Sequence, residues 1–220
     1  MEKIWLKHYP PGVPAEIDVN EYESLRDIFE ESVSKYASRP AFTCMGKSIT
    51  FAELDTLSAA FGAWLQGIGG GKGTRVALMM PNILQYPVCL FGTLRAGGTV
   101  VNVNPLYTAR ELEHQLADSG AEVIVVLENF ASTLAEVIAK TKVRHVVVTS
   151  MGELMGVKGL VVNFVVRRVK KMVKPWSIPN AIHVSDALAE GRRRTLARVP
   201  LTHDDIAFLQ YTGGTTGVAK

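Results

Sequence analysis

The residues best suited to do chemistry stand together at the end of the sequence, in Tyr211-Thr212-Gly213-Gly214-Thr215-Thr216-Gly217-Val218-Ala219-Lys220. Glycines let the backbone turn sharply and present successive N–H groups as an anion-binding concavity. Threonine hydroxyls add hydrogen-bond donors and a hard oxygen of the kind that Mg²⁺ takes as a ligand, and Lys220 adds positive charge. The pattern therefore predicts a loop that holds phosphate.

The spacing within this segment separates it from two common phosphate-binding motifs. The loop of P-loop NTPases needs a glycine directly before its lysine, whereas Val218 and Ala219 separate Gly217 from Lys220. The segment also lacks the G-x-G-x-x-G spacing of dinucleotide-binding folds. The alternative, a flexible hairpin turn, does not explain three hydroxyls and a lysine, so phosphate binding is the preferred interpretation.

Other reactive side chains give no comparable pattern, and no catalytic residue is assigned. The five histidines fall on separate predicted elements, at spacings that do not suit a metal site. His203-Asp204-Asp205 is interpreted as a solvated turn before a strand rather than an acid–base cluster. Cys44 and Cys89 lie in apolar neighbourhoods and are predicted to be reduced thiols. Tyr107 follows the end of a predicted strand, where ligands of α/β sheets bind, so it is predicted either to line a ligand cleft or to pack in the core.

The composition is that of an ordinary folded protein. Of 220 residues, 47% are hydrophobic and 20% are charged, which excludes disordered, collagen-like and disulfide-scaffold chains. This length suits one large domain, or one domain with part of another. The first residues contain no continuous apolar stretch of the kind that directs export, and no apolar run reaches the ~18 residues of a membrane span. We expect a cytoplasmic protein.

Apolar strands alternate with helices through the middle of the chain. Residues 123–127 and 146–148 are apolar at successive positions, as strands buried on both faces of a parallel sheet must be. The predicted strands cover 75–80, 99–104, 123–127, 143–148 and 205–210, and the predicted helices between them cover 83–94, 109–117 and 132–140. This rhythm predicts an α/β fold, a doubly wound and mainly parallel sheet flanked by helices.

The region before the first of these strands carries turn and helix signals. Residues 41–44 and 47–50 predict a short hairpin around Met45-Gly46. Helices are predicted to start at three pairs with capping-box spacing: Ser24 with Asp27, Thr50 with Glu53, and Thr108 with Glu111. Phe61 and Trp64 share an apolar helical stripe and are predicted core residues.

Positive charge is concentrated in one segment. The net charge is only +3, yet six Lys and Arg residues and no acid lie between Glu153 and Asp186. A helix is predicted over residues 153–174. The predicted apolar side of this helix consists of Val162, Val165, Val166, Val169 and Met172. The predicted polar side consists of Asn163, Arg167, Lys170, Lys171 and Lys174.

Two interpretations of this segment stay open. A cationic amphipathic helix favours an anionic membrane surface, whereas a surface helix would pack its valines on the sheet and leave its charges in water. Nucleic-acid binding is not expected, because a broad basic surface with interleaved aromatic residues is lacking.

The terminal loop resembles the signature loop of the adenylate-forming enzymes, the group of acyl-CoA synthetases, luciferases and peptide-synthetase adenylation domains. Segments 48–54, 75–82 and 95–107 resemble earlier parts of that family, in the same order. Segment 5–14 and the basic segment resemble bacterial long-chain fatty-acid–CoA ligases.

The resemblance implies a two-step reaction. A fatty-acid carboxylate attacks the α-phosphorus of ATP, pyrophosphate leaves, and the thiolate of coenzyme A then displaces AMP. In such enzymes the loop holds the β- and γ-phosphates with Mg²⁺, by positioning and electrostatic stabilisation. The nucleotide-binding residues that the resemblance implies are Tyr211, Thr212, Gly213, Gly214, Thr215, Thr216, Gly217 and Lys220. Thr212 is the implied magnesium-linked hydroxyl.

The family's adenine pocket, ribose-binding aspartate, acidic magnesium partner and C-terminal lid have no counterpart in these 220 residues. The resemblance therefore implies an amino-terminal fragment, with 1–204 as an α/β subdomain and 205–220 as a strand and loop leading into another subdomain. Alone, it is not expected to catalyse either step. The alternatives are another acyl- or aryl-CoA ligase, an acyl-AMP ligase, or a non-catalytic membrane-docking module. A peripheral location on the inner face of the plasma membrane and a homodimer are left open.

Overall fold

A computed structural model describes residues 2–212. Gly213, Gly214, Thr215, Thr216, Gly217 and Lys220 of the predicted loop lie outside the described residues. The α-helices of the described part are α1 (Leu25–Tyr36), α2 (Phe51–Gly67), α3 (Gln85–Arg95), α4 (Ala109–Ser119), α5 (Ala131–Val137), α6 (Val157–Phe164) and α7 (Val184–Gly191). Its strands are β1 (Pro40–Cys44), β2 (Lys47–Thr50), β3 (Arg75–Met79), β4 (Thr99–Asn102), β5 (Val123–Leu127), β6 (His145–Thr149), β7 (Ile182–His183) and β8 (Phe208–Gln210).

The central sheet of the described residues is parallel, with strand order β7-β6-β5-β3-β4-β8. All five residues of β5 are buried, as its uninterrupted apolar sequence predicts. The predicted α/β fold with a parallel sheet is confirmed. β1 and β2 form the predicted antiparallel hairpin outside this sheet.

Helices cover both faces of the sheet and give it two apolar layers. One layer contains Leu54, Phe61 and Trp64 of α2 with Val88 of α3. The other contains Leu112 of α4 and Leu134 of α5, together with the opposite-facing residues of the strands. The predicted core positions of Phe61 and Trp64 are therefore confirmed, with 0% and 2% exposure.

Two of the three predicted capping boxes form. The hydroxyls of Thr50 and Thr108 each accept a hydrogen bond from the backbone N–H three residues ahead, and the carboxylate of the glutamate there accepts one from the backbone N–H of the threonine. The Ser24 box was predicted wrongly. Ser24 Oγ donates to the carboxylate of Asp27 (2.8 Å) and caps no backbone group, although α1 still begins at the next residue.

The helix predicted over 153–174 is much shorter than expected. α6 covers Val157–Phe164, and a single π-helical turn, Val165–Val169, continues it. Lys171 then adopts a left-handed conformation (φ 51°), and the chain runs without regular structure towards β7. Among residues 2–212, no helix combines the length and the hydropathy that a bilayer span requires.

The predicted division of that segment into apolar and polar sides holds in part, because Val162, Val165 and Val166 are half-buried and the lysines and arginines are exposed. Asn163, expected in water, accepts a hydrogen bond from Gly152 N at 2.8 Å and donates to Ser150 Oγ at 2.9 Å. Val162 packs against the core as one interpretation expected, but Val169 is 60% exposed. Asn163, which is held inward, and Val169, which lies in the π-helical turn, are therefore exceptions to the predicted division.

Candidate functional site

A polar cleft lies at the carboxyl ends of β3, β4 and β8. After β3 the chain passes to α3 on one face of the sheet, and after β4 it passes to α4 on the other face. The outgoing connections therefore diverge between these two neighbouring strands, and ligands of open α/β sheets bind at such a switch point. We call this the switch-point cleft.

The switch-point cleft encloses about 290 Å³. Its lining residues are Leu78, Met80, Asn82, Tyr86, Asn102, Val103, Asn104, Tyr107, Gln210 and Tyr211. Two of the polar ones, Asn102 and Gln210, directly follow apolar strand residues, so the sheet itself fixes where these side chains begin.

A chain of side-chain hydrogen bonds crosses the floor of the cleft. Tyr86 OH donates to Asn102 Oδ1 at 2.7 Å, and Asn102 Nδ2 donates to Gln210 Oε1 at 2.8 Å. Asn102 and Gln210 are also paired in the parallel register of β4 and β8. The backbone carbonyl of Asn102 accepts a further bond from Gln115 Nε2 of α4 at 2.8 Å. Helices on both faces thus hold the end of β8, the strand that leads into the predicted phosphate loop.

Tyr211 is the first loop residue after β8, and the structure places it at the cleft. Its phenol donates a hydrogen bond to the carboxylate of Asp118 on α4. Burial, followed by the bond to Asp118, raises the pKa of Tyr211 to about 12. The phenol is therefore protonated at neutral pH and acts as a donor. Thr212 follows it and is exposed.

Tyr107 lines the cleft and also packs against the apolar layer around α4, so both roles considered for it hold. Its backbone N–H bonds to the carbonyl of Asn104 (3.1 Å), and Asn104 Oδ1 accepts from Leu106 N (3.0 Å). This local turn directs the chain from β4 around the cleft and into α4.

Other candidate residues take no part in the cleft. Asp205 accepts hydrogen bonds from Lys72 Nζ (2.9 Å) and Thr202 N (2.8 Å), which lower its pKa. The chain turns at 203–205 just before β8, so the predicted turn is confirmed. Cys44 and Cys89 are free thiols, and burial raises the pKa of Cys89. In the part of the chain that the structure describes, no three His, Cys, Asp or Glu side chains cluster as a metal site would require.

Sequence reasoning missed the roles of Tyr86, Asn102 and Gln210. The signal for Asn102 and Gln210 was a polar residue ending an otherwise apolar strand. Their pairing spans 108 positions of sequence and depends on strand order, which the alternation of strands and helices does not reveal.

A sequence profile for the AMP-binding enzymes matches residues 29–220 of the chain. The chain is 57% identical to the long-chain-fatty-acid–CoA ligase of Yersinia pestis and 52% identical to that of Haemophilus influenzae, in each case along its whole length. A Bacillus subtilis ligase of the same name is 33% identical. The chain spans only 40% of the length of the first two relatives.

Solved structures give the same picture at the level of the fold. An anthranilate CoA ligase in complex with anthranoyl-AMP superposes with a TM-score of 0.71 at 21% identity, over 90% of this chain and 33% of its own. A long-chain-fatty-acid-CoA ligase from Archaeoglobus fulgidus superposes with a TM-score of 0.69 at 25% identity, over 95% of this chain and 38% of its own.

Proposed function

The chain belongs to the AMP-binding enzymes, and we propose that it is the amino-terminal part of an ATP-dependent long-chain fatty-acid–CoA ligase. The observation that carries the proposal is that β8 ends at the switch-point cleft, and in the sequence the Thr/Gly/Lys segment follows it directly. Relatives 52–58% identical along the whole chain are named for this activity, which supports a long-chain acid over an aryl acid as substrate.

In the proposed reaction, this chain binds and orients rather than forming covalent bonds. The carboxylate of the fatty acid attacks the α-phosphorus of ATP, the bond to the β-phosphate oxygen breaks, and pyrophosphate leaves; the thiolate of coenzyme A then displaces AMP. The loop would hold the leaving pyrophosphate, where fixed donors stabilise charge without reorganising. The side chains of Tyr86, Asn102 and Gln210 would fix where that loop begins.

The donors near the loop also fit Mg²⁺, a hard cation that prefers oxygen ligands. Thr212, exposed two residues after β8, would offer its hydroxyl oxygen. When bound, the ion would supply positive charge against the β- and γ-phosphates. Phosphate oxygens and water would complete its coordination.

Product analysis tests the proposal. The full-length protein is incubated with ATP, Mg²⁺ and coenzyme A, with palmitate or benzoate as the acid, and the products are identified by mass spectrometry. We expect palmitoyl-CoA and AMP. Benzoyl-CoA alone would favour an aryl-CoA ligase, and palmitoyl-AMP accumulating beside free coenzyme A would favour an acyl-AMP ligase. No product from either acid would overturn the proposal.

A matched pair of variants tests the loop itself. Thr212→Val removes one hydroxyl from the proposed phosphate site and should lower kcat about 10²-fold, a typical loss for one donor to developing charge. Thr56→Val makes the same change on the exposed side of α2 and should leave kcat within twofold. Equal activity of both variants would remove Thr212 from the site.

We infer further that the protein works in the cytoplasm, as a peripheral protein on the inner face of the plasma membrane. Long-chain fatty acids concentrate in bilayers, so a ligase at the surface would meet its substrate there. The positive charge concentrated between Glu153 and Asp186 supports this, because the cytoplasmic leaflet is anionic. A protein that sediments with anionic vesicles but forms no acyl product would instead favour the non-catalytic docking module.

A further inference from the structure

α6 turns an apolar stripe towards solvent. Val157, Leu160, Val161 and Phe164 recur at helical spacing, and their exposures are 82%, 71%, 62% and 62%. We call these four side chains the α6 face. Large apolar side chains exposed singly are ordinary, but a contiguous exposed stripe marks an interaction surface.

The inner side of α6 fixes this orientation. Gly152 and Gly159 meet backbone to backbone, and a Cβ on Gly159 would lie 1.9 Å from the Gly152 carbonyl oxygen. The two hydrogen bonds of the Asn163 amide, to Gly152 and Ser150, hold the same side. The helix cannot rotate to bury its apolar stripe without giving up these contacts.

A group of positively charged residues comes shortly after the α6 face in the sequence. Arg168, Lys170, Lys171 and Lys174, which we call the basic cluster, are all exposed. Within residues 2–212, none of the four forms an ion pair. By contrast, Arg167 is held by Glu128 at 2.9 Å and ties the π-helical turn to the body of the protein.

The position of α6 leaves this surface away from the switch-point cleft. α6 lies in the connection from β6 to β7, and β7 is the edge strand opposite to β8. A large flat partner could therefore approach the α6 face without covering the cleft.

We propose that the α6 face and the basic cluster form the surface that docks on an anionic lipid bilayer. The apolar side chains would enter the interface between headgroups and acyl chains, while the four cations would meet anionic headgroups. Charge complementarity favours a lipid surface over a second copy of this chain, because two copies would bring two basic clusters together. The inference deepens the membrane association proposed above and does not depend on the ligase activity.

Vesicle sedimentation of the intact protein tests this surface. The vesicles contain phosphatidylethanolamine with 30% phosphatidylglycerol, or phosphatidylcholine alone as the neutral comparison. We expect binding to the anionic vesicles only. Leu160→Gln with Phe164→Gln, and Lys170→Glu with Lys171→Glu, should each weaken that binding at least tenfold.

Matched controls carry the same changes elsewhere. Ile17→Gln with Val19→Gln alters two exposed apolar residues, and Lys142→Glu with Arg193→Glu reverses two exposed charges. Both control proteins should bind within twofold of the wild type. Thermal melting verifies that every variant is folded, and Phe164→Trp supplies a positive signal, because its fluorescence should be quenched by brominated lipid.

The outcomes separate the two membrane proposals. Wild-type binding that all variants retain would overturn the role of α6 and leave peripheral association standing. No binding of the wild type to anionic vesicles would overturn both. A dimer that the Leu160→Gln, Phe164→Gln variant dissociates would identify the α6 face as a contact between copies and overturn lipid docking.

Discussion

The switch-point cleft and the α6 face differ in which side chains they present to solvent, although both are built on the same parallel sheet. In the cleft, Tyr86, Asn102 and Gln210 satisfy one another, so the polar groups are fixed before any ligand arrives. At α6, hydrogen bonds and close backbone contacts fix the inner side of the helix, and the apolar side chains of the outer side are exposed to solvent. The cleft therefore suits the precise positioning of a ligand, whereas the α6 face suits binding to an apolar surface. Substitutions test this difference, because they should lower the stability of the protein at fixed contacts and leave it unchanged at exposed positions.

The largest effect on stability is expected at the inner contact of α6. Gly159→Ala places a Cβ 1.9 Å from the Gly152 carbonyl, and overpacking of this kind costs about 2–3 kcal/mol of the free energy of unfolding. Gly71→Ala, where nothing lies within 4 Å of the added atom, should stay within about 0.5 kcal/mol. Urea unfolding measures both. Equal stabilities would mean that α6 is not held against the loop at 150–156.

The next largest effect is expected at the floor of the cleft. Asn102→Ala removes the partner of both Tyr86 OH and Gln210 Oε1 and should cost about 1–2 kcal/mol, since partly buried groups lose their bonds. Asn20→Ala, at an exposed position, is the control and should be nearly neutral. Denaturant midpoints of the two variants test this. An unchanged midpoint for Asn102→Ala would show that β8 is held by its backbone pairing alone.

A smaller effect is expected on one ionisation next to the loop. Asp118→Asn removes the negative charge that helps to raise the pKa of Tyr211 to about 12, so that pKa should fall towards its ordinary value. In the wild type, the phenol's contribution to stability is complete below pH 10 and is lost as the pH rises towards 12. Ultraviolet titration, with Tyr211→Phe as the reference, measures the shift. An unaltered titration in Asp118→Asn would leave burial as the only cause.

The smallest effect is expected on the outside of α6. Leu160→Gln changes a side chain that is 71% exposed, and such surface substitutions stay within about 0.5 kcal/mol. The melting temperature should therefore match that of the wild type, even where vesicle binding is lost. A clear loss of stability would mean that Leu160 is packed against the protein.

The sequence predicted those parts of the fold that depend on local signals. Successive valines predicted β5 and β6, and the Thr50/Glu53 and Thr108/Glu111 pairs predicted where α2 and α4 begin. These predictions succeeded because each signal depends only on residues a few positions apart. The phosphate loop beginning at Tyr211 is predicted in the same way, from its composition and spacing, and stays a prediction. The nucleotide-binding roles of Gly213 to Lys220 remain predictions, since those residues lie outside the described part of the chain.

Long-range pairing explains what the sequence did not reveal. Gln210 reaches Asn102 only because β8 returns to pair with β4, and no local pattern specifies that return. The exposed apolar stripe of α6 was missed because the helix is apolar on more than one side. The backbone contact of Gly159 and the amide of Asn163 hold the inward side of α6, the same side that carries the half-buried Val162 and Val166.

The measurement that tests the central claim most directly is the exchange of labelled pyrophosphate into ATP by the full-length protein. The exchange reports reversal of the first step and needs no coenzyme A. We predict exchange that depends on a long-chain fatty acid and falls about 10²-fold in Thr212→Val, as expected for the loss of one donor. Exchange that is absent with fatty acids of every chain length would contradict the account.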